Sequence, residues 1–390
     1  MEKSCDAPSR QSLRDFTEDY WDIFVGVGSI LLSLYFNKLG FGGFATFFAA
    51  VGIGCLSLSV SEVAEILSLR LQEPYGSLVL TLSAVVVEIM LLYIILLQAF
   101  TNPEVIETVK GGIISAVIVD MNVLLGIAVF LGGLKFSEQE HNKETSSTYT
   151  TILYVTGIAL LVPSLLNEVS HEKNAVFEAS VYISLLLLFF YFIIIIFQTK
   201  THTHFFKQTA RSRIFRIKRK MAKKEIEDDQ EDDDDYIFEK FSNLGLIATI
   251  FVFIAIIAMG AEIFAMDGVR LAKEYGISAG ICGLIIAIVA VSPEIMTAIK
   301  AAKNDEIQRV VNIAMGASTV SILLTVPILM ALAYASGIRF ELNFNPLEIG
   351  ALILTIILAW KTTDDGHTNY FEGIAHLMFF VAFAIIAAYY

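Results

Sequence analysis

Proline is scarce in this chain, with seven among 390 residues. Long apolar runs therefore proceed without its missing N–H and fixed φ. Cysteine is scarcer still, at three, which excludes a disulfide framework. Cys55 and Cys282 lie in apolar segments and read as packing residues. Charged side chains make up 17% of the chain, against about 25% in an average soluble domain. No HExxH motif and no nucleophile constellation is present, so no enzyme activity and no cofactor is expected. The N-terminal stretch lacks the short apolar core and cleavage site of a signal peptide, so the first apolar run is expected to be a retained span.

Apolar sequence fills the space these absences leave. Hydrophobic residues are 56% of the chain, Phe alone occurs 29 times, and mean hydropathy is +0.67. The runs are continuous rather than alternating, so the expected class is an all-α polytopic membrane protein in a lipid bilayer. Eleven spans are expected, at 20–38, 42–69, 77–99, 111–134, 151–167, 175–199, 243–266, 278–300, 309–335, 346–360 and 371–389. A tail at 1–19 precedes the first span, and a linker at 200–242 divides two five-helix units, 42–199 and 243–390.

The net charge of −13 hides a segregation: a basic run from Arg211 to Lys224 is followed by an acidic run from Glu225 to Asp235. The acidic run lacks the glycine turn of an EF-hand; it reads as a solvated linker, with loose Ca²⁺ binding or regulation of transport as the alternative. With the linker in the cytoplasm, 21 of the 27 Lys and Arg fall on that side. The N-terminus is then cytoplasmic and the C-terminus outside. No nucleic-acid partner is expected, and oligomeric state is open.

One pattern stands out within the apolar runs. Ala84-Val85-Val86-Val87-Glu88-Ile89-Met90 is echoed by Ala290-Val291-Ser292-Pro293-Glu294-Ile295-Met296. A second patch, Arg70 to Gly76, is echoed by Arg270 to Gly276 in the same order. The glutamates fall in spans three and eight, so the two units have opposite topology. Inverted repeats with a midplane site are a transporter architecture. An ionised carboxylate near the bilayer centre costs roughly 3 kcal/mol or more. Two carboxylates from facing helices can neutralise one divalent cation, or each take a proton, since burial favours the neutral acid. Holding either a metal ion or protons is what exchange transport requires. A structural pair bonded to backbone is the alternative.

Other residues are candidates for the shell or the path. Pro293 leaves the carbonyl of Val289 without its helical donor, and a freed carbonyl suits a hard cation. Ser318, Ser321 and Thr325 share a face of span nine, and Ser115 and Asn122 lie seven apart in span four with Asp120 close by. Hydroxyls at such spacing also serve as interhelical glue. Glu62, Glu65 and Glu262 are candidates to line a cation path, or to face headgroups. Glu168, His171, His202, His204 and His376 lie near span ends and are expected to be solvated.

The stretches SVSEVAEILSLRLQEPYGSLVLTLSAVVVEIM and AVSPEIMTAIKAAKNDEIQRVVNIAMGASTVSILLTVPI resemble the cation/proton exchangers of the calcium/cation antiporter superfamily, most of all the bacterial ChaA-type calcium/proton antiporters. The resemblance covers nearly the whole chain after the tail. It implies that Glu88 and Glu294 are the paired cation ligands, that Gly316, Ala317 and Ser318 open the second repeat's following helix, and that Asn122 matches the asparagine of the first. Plant and fungal exchangers carry Gly-Asn where this chain has Ala84-Val85 and Ala290-Val291, so two amide oxygens are missing from the implied site. The expected function is a secondary antiporter that exchanges cytoplasmic Ca²⁺ for protons by alternating access. Na⁺ or K⁺ in place of Ca²⁺ is the nearest alternative; a cation channel, which would use similar carboxylates as a ring, is the alternative of another class. A prokaryotic plasma membrane is the expected location, with a vacuolar membrane as alternative.

Overall fold

The computed structural model describes residues 20–71, 75–169, 172, 174–206 and 237–389. The N-terminal tail, most of the linker with its basic and acidic runs, and His171 lie outside the described residues. Among the described residues there are eleven long helices: α1 Trp21–Lys38, α2 Gly42–Arg70, α3 Tyr75–Leu97, α4 Val105–Phe136, α5 Lys143–Val169, α6 Ala175–Ile196, α7 Asn243–Tyr275, α8 Ala279–Lys303, α9 Ile307–Ala335, α10 Pro346–Thr363 and α11 Tyr370–Ala388. Ten are long and apolar enough to cross a membrane; α1 carries Asp22 and Lys38 at its ends and falls just short of them in apolarity. Large apolar side chains such as Leu31, Phe47, Phe189, Phe251 and Trp360 stay exposed around the bundle, as lipid contact demands.

Several helices outrun their apolar stretches. α5 was expected over 151–167 and begins at Lys143, because its Thr-rich first turns stay helical by returning hydroxyls to backbone. Thr148 donates to the Glu144 carbonyl at 2.7 Å and Thr151 to that of Ser147 at 2.8 Å. α7 runs on to Tyr275 and stops at Gly276, whose φ of 65° closes the helix in the left-handed region. Ser278 starts α8 by accepting from the Ile281 N–H at 3.2 Å, and Asn345 and Asn369 form capping boxes with Glu348 and Glu372 at the starts of α10 and α11. The helical class holds, with one small addition. Residues Glu138–Glu140 (β1) pair antiparallel with His367–Asn369 (β2), since two short loops meet on one side and satisfy each other's backbone.

Two hydrophobic clusters divide the bundle. One gathers α1, α2 and α7 with part of α3; the larger gathers α3 to α6 and α8 to α11. Close backbone crossings set the centre of the larger one. A Cβ at Gly283 of α8 would stand 2.6 Å from the Gly111 backbone of α4, and one at Gly373 of α11 would stand 2.4 Å from the Phe130 nitrogen. Only glycine permits such approach. α4 is therefore clamped between α8 and α11.

Both ends of the linker are tied to the bundle. At its start, Thr145 of α5 donates to the Phe205 carbonyl. At its finish, the Ile237 N–H donates to the Tyr20 hydroxyl at 2.6 Å.

Candidate functional site

Glu88 lies near the middle of α3, thirteen residues after Tyr75, and is 8% exposed. Ser321 of α9 donates to Glu88 Oε2 at 2.7 Å, and Glu88 Oε1 is buried with no hydrogen-bond partner. Thr325 of α9 lies beside Glu88 without closing a hydrogen bond of its own. Asp120 of α4 is 1% exposed; Ser318 donates to its Oδ2 at 3.3 Å, and its Oδ1 has no partner. The carboxyl groups of Asp120 and Glu294 are within hydrogen-bonding reach of each other, and Glu88 is close enough to both to repel their charges. Carboxyls from α3, α4 and α8 thus lie in one region beside hydroxyls of α9, although among the described residues no three acidic or histidine side chains stand close enough to form a ready-made metal-holding group.

Three like charges cannot all stay ionised in a dry site, because each uncompensated charge costs several kcal/mol. Protons or a cation must offset them. The two partnerless oxygens mark where such an offset is needed. Glu294 itself is partly exposed, so the cluster is not sealed on the α8 side.

The helices around the cluster are irregular where they meet it. α4 contains a π turn at Val119–Leu124, and α9 contains one at Ser321–Thr325. A π turn adds a residue to the local repeat and turns side chains onto a new face, often at functional sites. α8 carries Pro293 directly before Glu294. Val289, one turn earlier, packs partly buried against the cluster of α1, α2 and α7.

Of the residues singled out in the sequence, Glu88, Asp120, Glu294, Ser318 and Ser321 come together. Asn122 does not. Its Nδ2 donates to the Ile118 carbonyl at 3.1 Å and to Thr355 of α10 at 2.9 Å, and its Oδ1 meets His376 of α11 at 3.1 Å. The straight-helix spacing of Ser115 and Asn122 misleads here because the π turn intervenes. Glu62 and Glu65 stand in ion pairs: Glu62 faces Lys300 of α8 at 3.9 Å, and Glu65 pairs with Arg309 of α9. Both cations lie at helix ends on the linker face, where a glutamate one turn up α2 can reach them. Glu262 is exposed on α7 beside Met259 and Met266 and joins no carboxyl cluster among the described residues. His376 was expected to be solvated and is instead 1% exposed, because a helix partner lies over it. Arg70 caps the approach to α7 through the carbonyls of Glu239 and Phe241, each at 2.5 Å, while Arg270 pairs with Asp267 at 2.9 Å. The π turns, the Glu65–Arg309 pair and the His376 contacts were not foreseen. Glu65 and His376 were visible in the sequence as polar residues of apolar spans, but their partners were not.

The profile of the family described as "Sodium/calcium exchanger protein" matches residues 38–200 and 245–389. The Sodium-potassium/proton antiporter ChaA of Escherichia coli (strain K12) is 28% identical over 338 residues, 86% of each chain. A Ca(2+)/H(+) antiporter of Synechocystis is 24% identical over 361 residues, 91% of this chain and 93% of that one. Among solved structures, native YfkE superposes with a TM-score of 0.75 at 19% identity, over 95% of this chain and all (100%) of that one. The H+/Ca2+ exchanger CAX superposes with a TM-score of 0.67 at 14% identity, over 96% of this chain and 92% of that one. These structural likenesses carry the fold.

Proposed function

The chain belongs to the sodium/calcium exchanger protein family, and from that premise we propose that it is a secondary antiporter moving cytoplasmic Ca²⁺ outward against inward protons. It is a membrane transporter of the cation/proton antiporter kind, not an enzyme. The observation that carries the finer reading is the cluster of Glu88, Asp120 and Glu294, with two buried oxygens lacking partners. Two ionised carboxylates match the charge of one Ca²⁺, while the third keeps its proton, with Asp120 and Glu294 near enough to share it. Releasing the metal requires protons to replace it on the same oxygens. One site thereby couples the two fluxes without a second pathway.

On this reading the linker face is cytoplasmic, and residues 42–199 and 243–390 act as two inverted five-helix units. The cluster of α1, α2 and α7 moves against the rest, exposing the carboxyls to one side at a time. The Glu62–Lys300 and Glu65–Arg309 pairs bridge these parts on the linker face and must open when access there widens. Such partly exposed pairs are worth about 0–1 kcal/mol each, small enough to break in every cycle. We place the protein in a prokaryotic plasma membrane.

A monovalent reading has one observation in its favour. With Asn122 committed to α10 and α11, no side-chain amide joins the cluster among the described residues. A donor set of carboxylates and hydroxyls accepts Na⁺ as well as Ca²⁺. Proteoliposomes with an entrapped pH dye, offered Ca²⁺, Na⁺ and K⁺ separately, distinguish the readings. Proton movement driven by Ca²⁺ alone supports the first; movement driven by Na⁺ or K⁺ but not Ca²⁺ replaces it with the second. Ion flux that dissipates without moving protons would mean a channel.

A further inference from the structure

We infer that His376 is a positioning residue for the cation and proton site, holding Asp120 in place through Asn122 although it touches no carboxyl of the cluster. The inference rests on the reading of Asp120 as part of that site. It begins with the π turn Val119–Leu124, which contains both Asp120 and Asn122. π turns are rare because their backbone geometry is poorer than that of an α-helix, so one that persists is held by its surroundings. Asn122 supplies the hold. Its Nδ2 takes the carbonyl of Ile118, the residue that leads into the turn, at 3.1 Å.

The roles along the chain of contacts follow from donor chemistry. A carbonyl only accepts, so the Asn122 nitrogen faces Ile118 and its oxygen faces His376. His376 therefore donates from Nδ1 to Asn122 Oδ1 at 3.1 Å. Its Nε2 meets the Thr362 hydroxyl at 2.8 Å, which orients the ring. Thr355 takes the second Asn122 N–H at 2.9 Å. All four side chains are buried, with Asn122 at 0% and His376 at 1% exposure. In such surroundings a lost partner is not replaced by water.

The crossing that makes these contacts possible is specific. A Cβ at Gly126, just after the π turn, would meet the His376 Cβ at 3.0 Å and the Gly373 carbonyl at 3.2 Å. α11 thus presses on α4 at the turn and delivers the imidazole to Asn122. The α10–α11 hairpin gives no group to the carboxyl cluster, yet it sets the face on which Asp120 emerges. Removing the hold lets the turn relax and carries Asp120 away from Glu294.

The test uses the full chain in proteoliposomes, with KM and maximal rate measured separately for Ca²⁺ and for Na⁺. His376→Leu should raise KM for the transported cation about tenfold, as loss of an outer partner does at a metal site, with little change in maximal rate. His376→Asn keeps a donor at the Nδ1 position and should retain near wild-type KM. In an Asp120→Asn background, His376→Leu should add nothing further, since both changes act on one group. Thr355→Val removes the other side-chain partner of Asn122 and should raise KM in the same direction, which keeps the test open should His376→Leu fail to fold. An unchanged KM in both His376→Leu and Thr355→Val would overturn the inference, as would equal losses in His376→Leu and His376→Asn. An additive loss in the Asp120→Asn background would also overturn it. Should Asp120→Asn by itself leave KM and pH dependence unchanged, it is the reading of Asp120 that fails.

Discussion

The two halves of the molecule reach the same place with different chemistry. In the first, α3 brings Glu88 and the π turn of α4 brings Asp120. In the second, α8 brings Glu294 behind Pro293, and α9 brings only the hydroxyls of Ser318, Ser321 and Thr325. Each half bends the helix after its glutamate helix with a π turn, so the backbone device is shared while the charge is not. Two of the carboxyls come from the first unit and one from the second. If the two units are inverted repeats, they supply a scaffold that faces itself, and their unlike side chains leave a site with an odd number of acids. On the proposed reading, an odd number lets two charges serve a divalent cation while one proton stays.

The largest effect should come from the residues the halves have in common. Glu88→Gln and Glu294→Gln are each expected to abolish cation-driven proton movement in proteoliposomes while leaving insertion intact, because a neutral amide neither offsets the cation nor accepts the exchanged proton. Exchange that survives in one variant and not the other would break the equivalence of the halves.

Next in size is the effect of pH on cation binding. Metal binding needs deprotonated carboxylates, so affinity should fall as protons compete, by about tenfold per pH unit for each proton displaced. Isothermal titration with Ca²⁺ in detergent from about pH 8 to about pH 5 reads this, with the double glutamine variant as blank. The three carboxyls should titrate as a coupled set. A pH-independent affinity would separate the proton path from the metal path.

The residues in which the halves differ sharpen the comparison. Asp120→Ser gives the first half the chemistry of the second and should alter the number of protons exchanged per cation, measured from the reversal potential of transport. Ser321→Ala removes one hydrogen bond to Glu88 and should cost only about 1.5–3 kcal/mol of the ionised state's stabilisation, seen as a weaker KM with coupling kept. An equal effect of the two substitutions would mean that the extra carboxyl has no role of its own.

The smallest effect concerns the joint between the halves outside the membrane. His141 follows β1, is buried beside the Thr363 carbonyl at 3.3 Å, and burial holds its imidazole below the ordinary value of 6.5. The unfolded chain therefore binds this proton at a higher pH than the folded one. Stability is full above about pH 6.5 and is lost as pH falls toward the depressed folded value. Thermal melts in detergent should show a Tm that declines below that pH, and His141→Gln should flatten the decline. A Tm in which His141→Gln changes nothing would assign the acid sensitivity elsewhere.

Much of this was legible in the chain itself. The eleven helices follow from continuous apolar runs, since a lipid-exposed backbone must satisfy its own hydrogen bonds. Glu88 and Glu294 stand out because a carboxylate amid such runs is costly and the surrounding words repeat. Ser318 and Ser321 follow from their shared helical face. Asn122 misled because face assignment presumes a regular helix, and the ion pairs of Glu62 and Glu65 were not legible because their partners, Lys300 and Arg309, are more than two hundred residues away.

Composition and period thus determined that this chain crosses a bilayer and which acids it carries there. Tertiary structure alone decided how many of those acids share one site. The irregularities that set it are two π turns and the glycine crossings that clamp α4 between α8 and α11, while the asparagine of the first π turn meets a histidine of α11 instead. A single sequence encodes local preference strongly, whereas which face a distorted helix presents is settled only by the neighbours that pack against it.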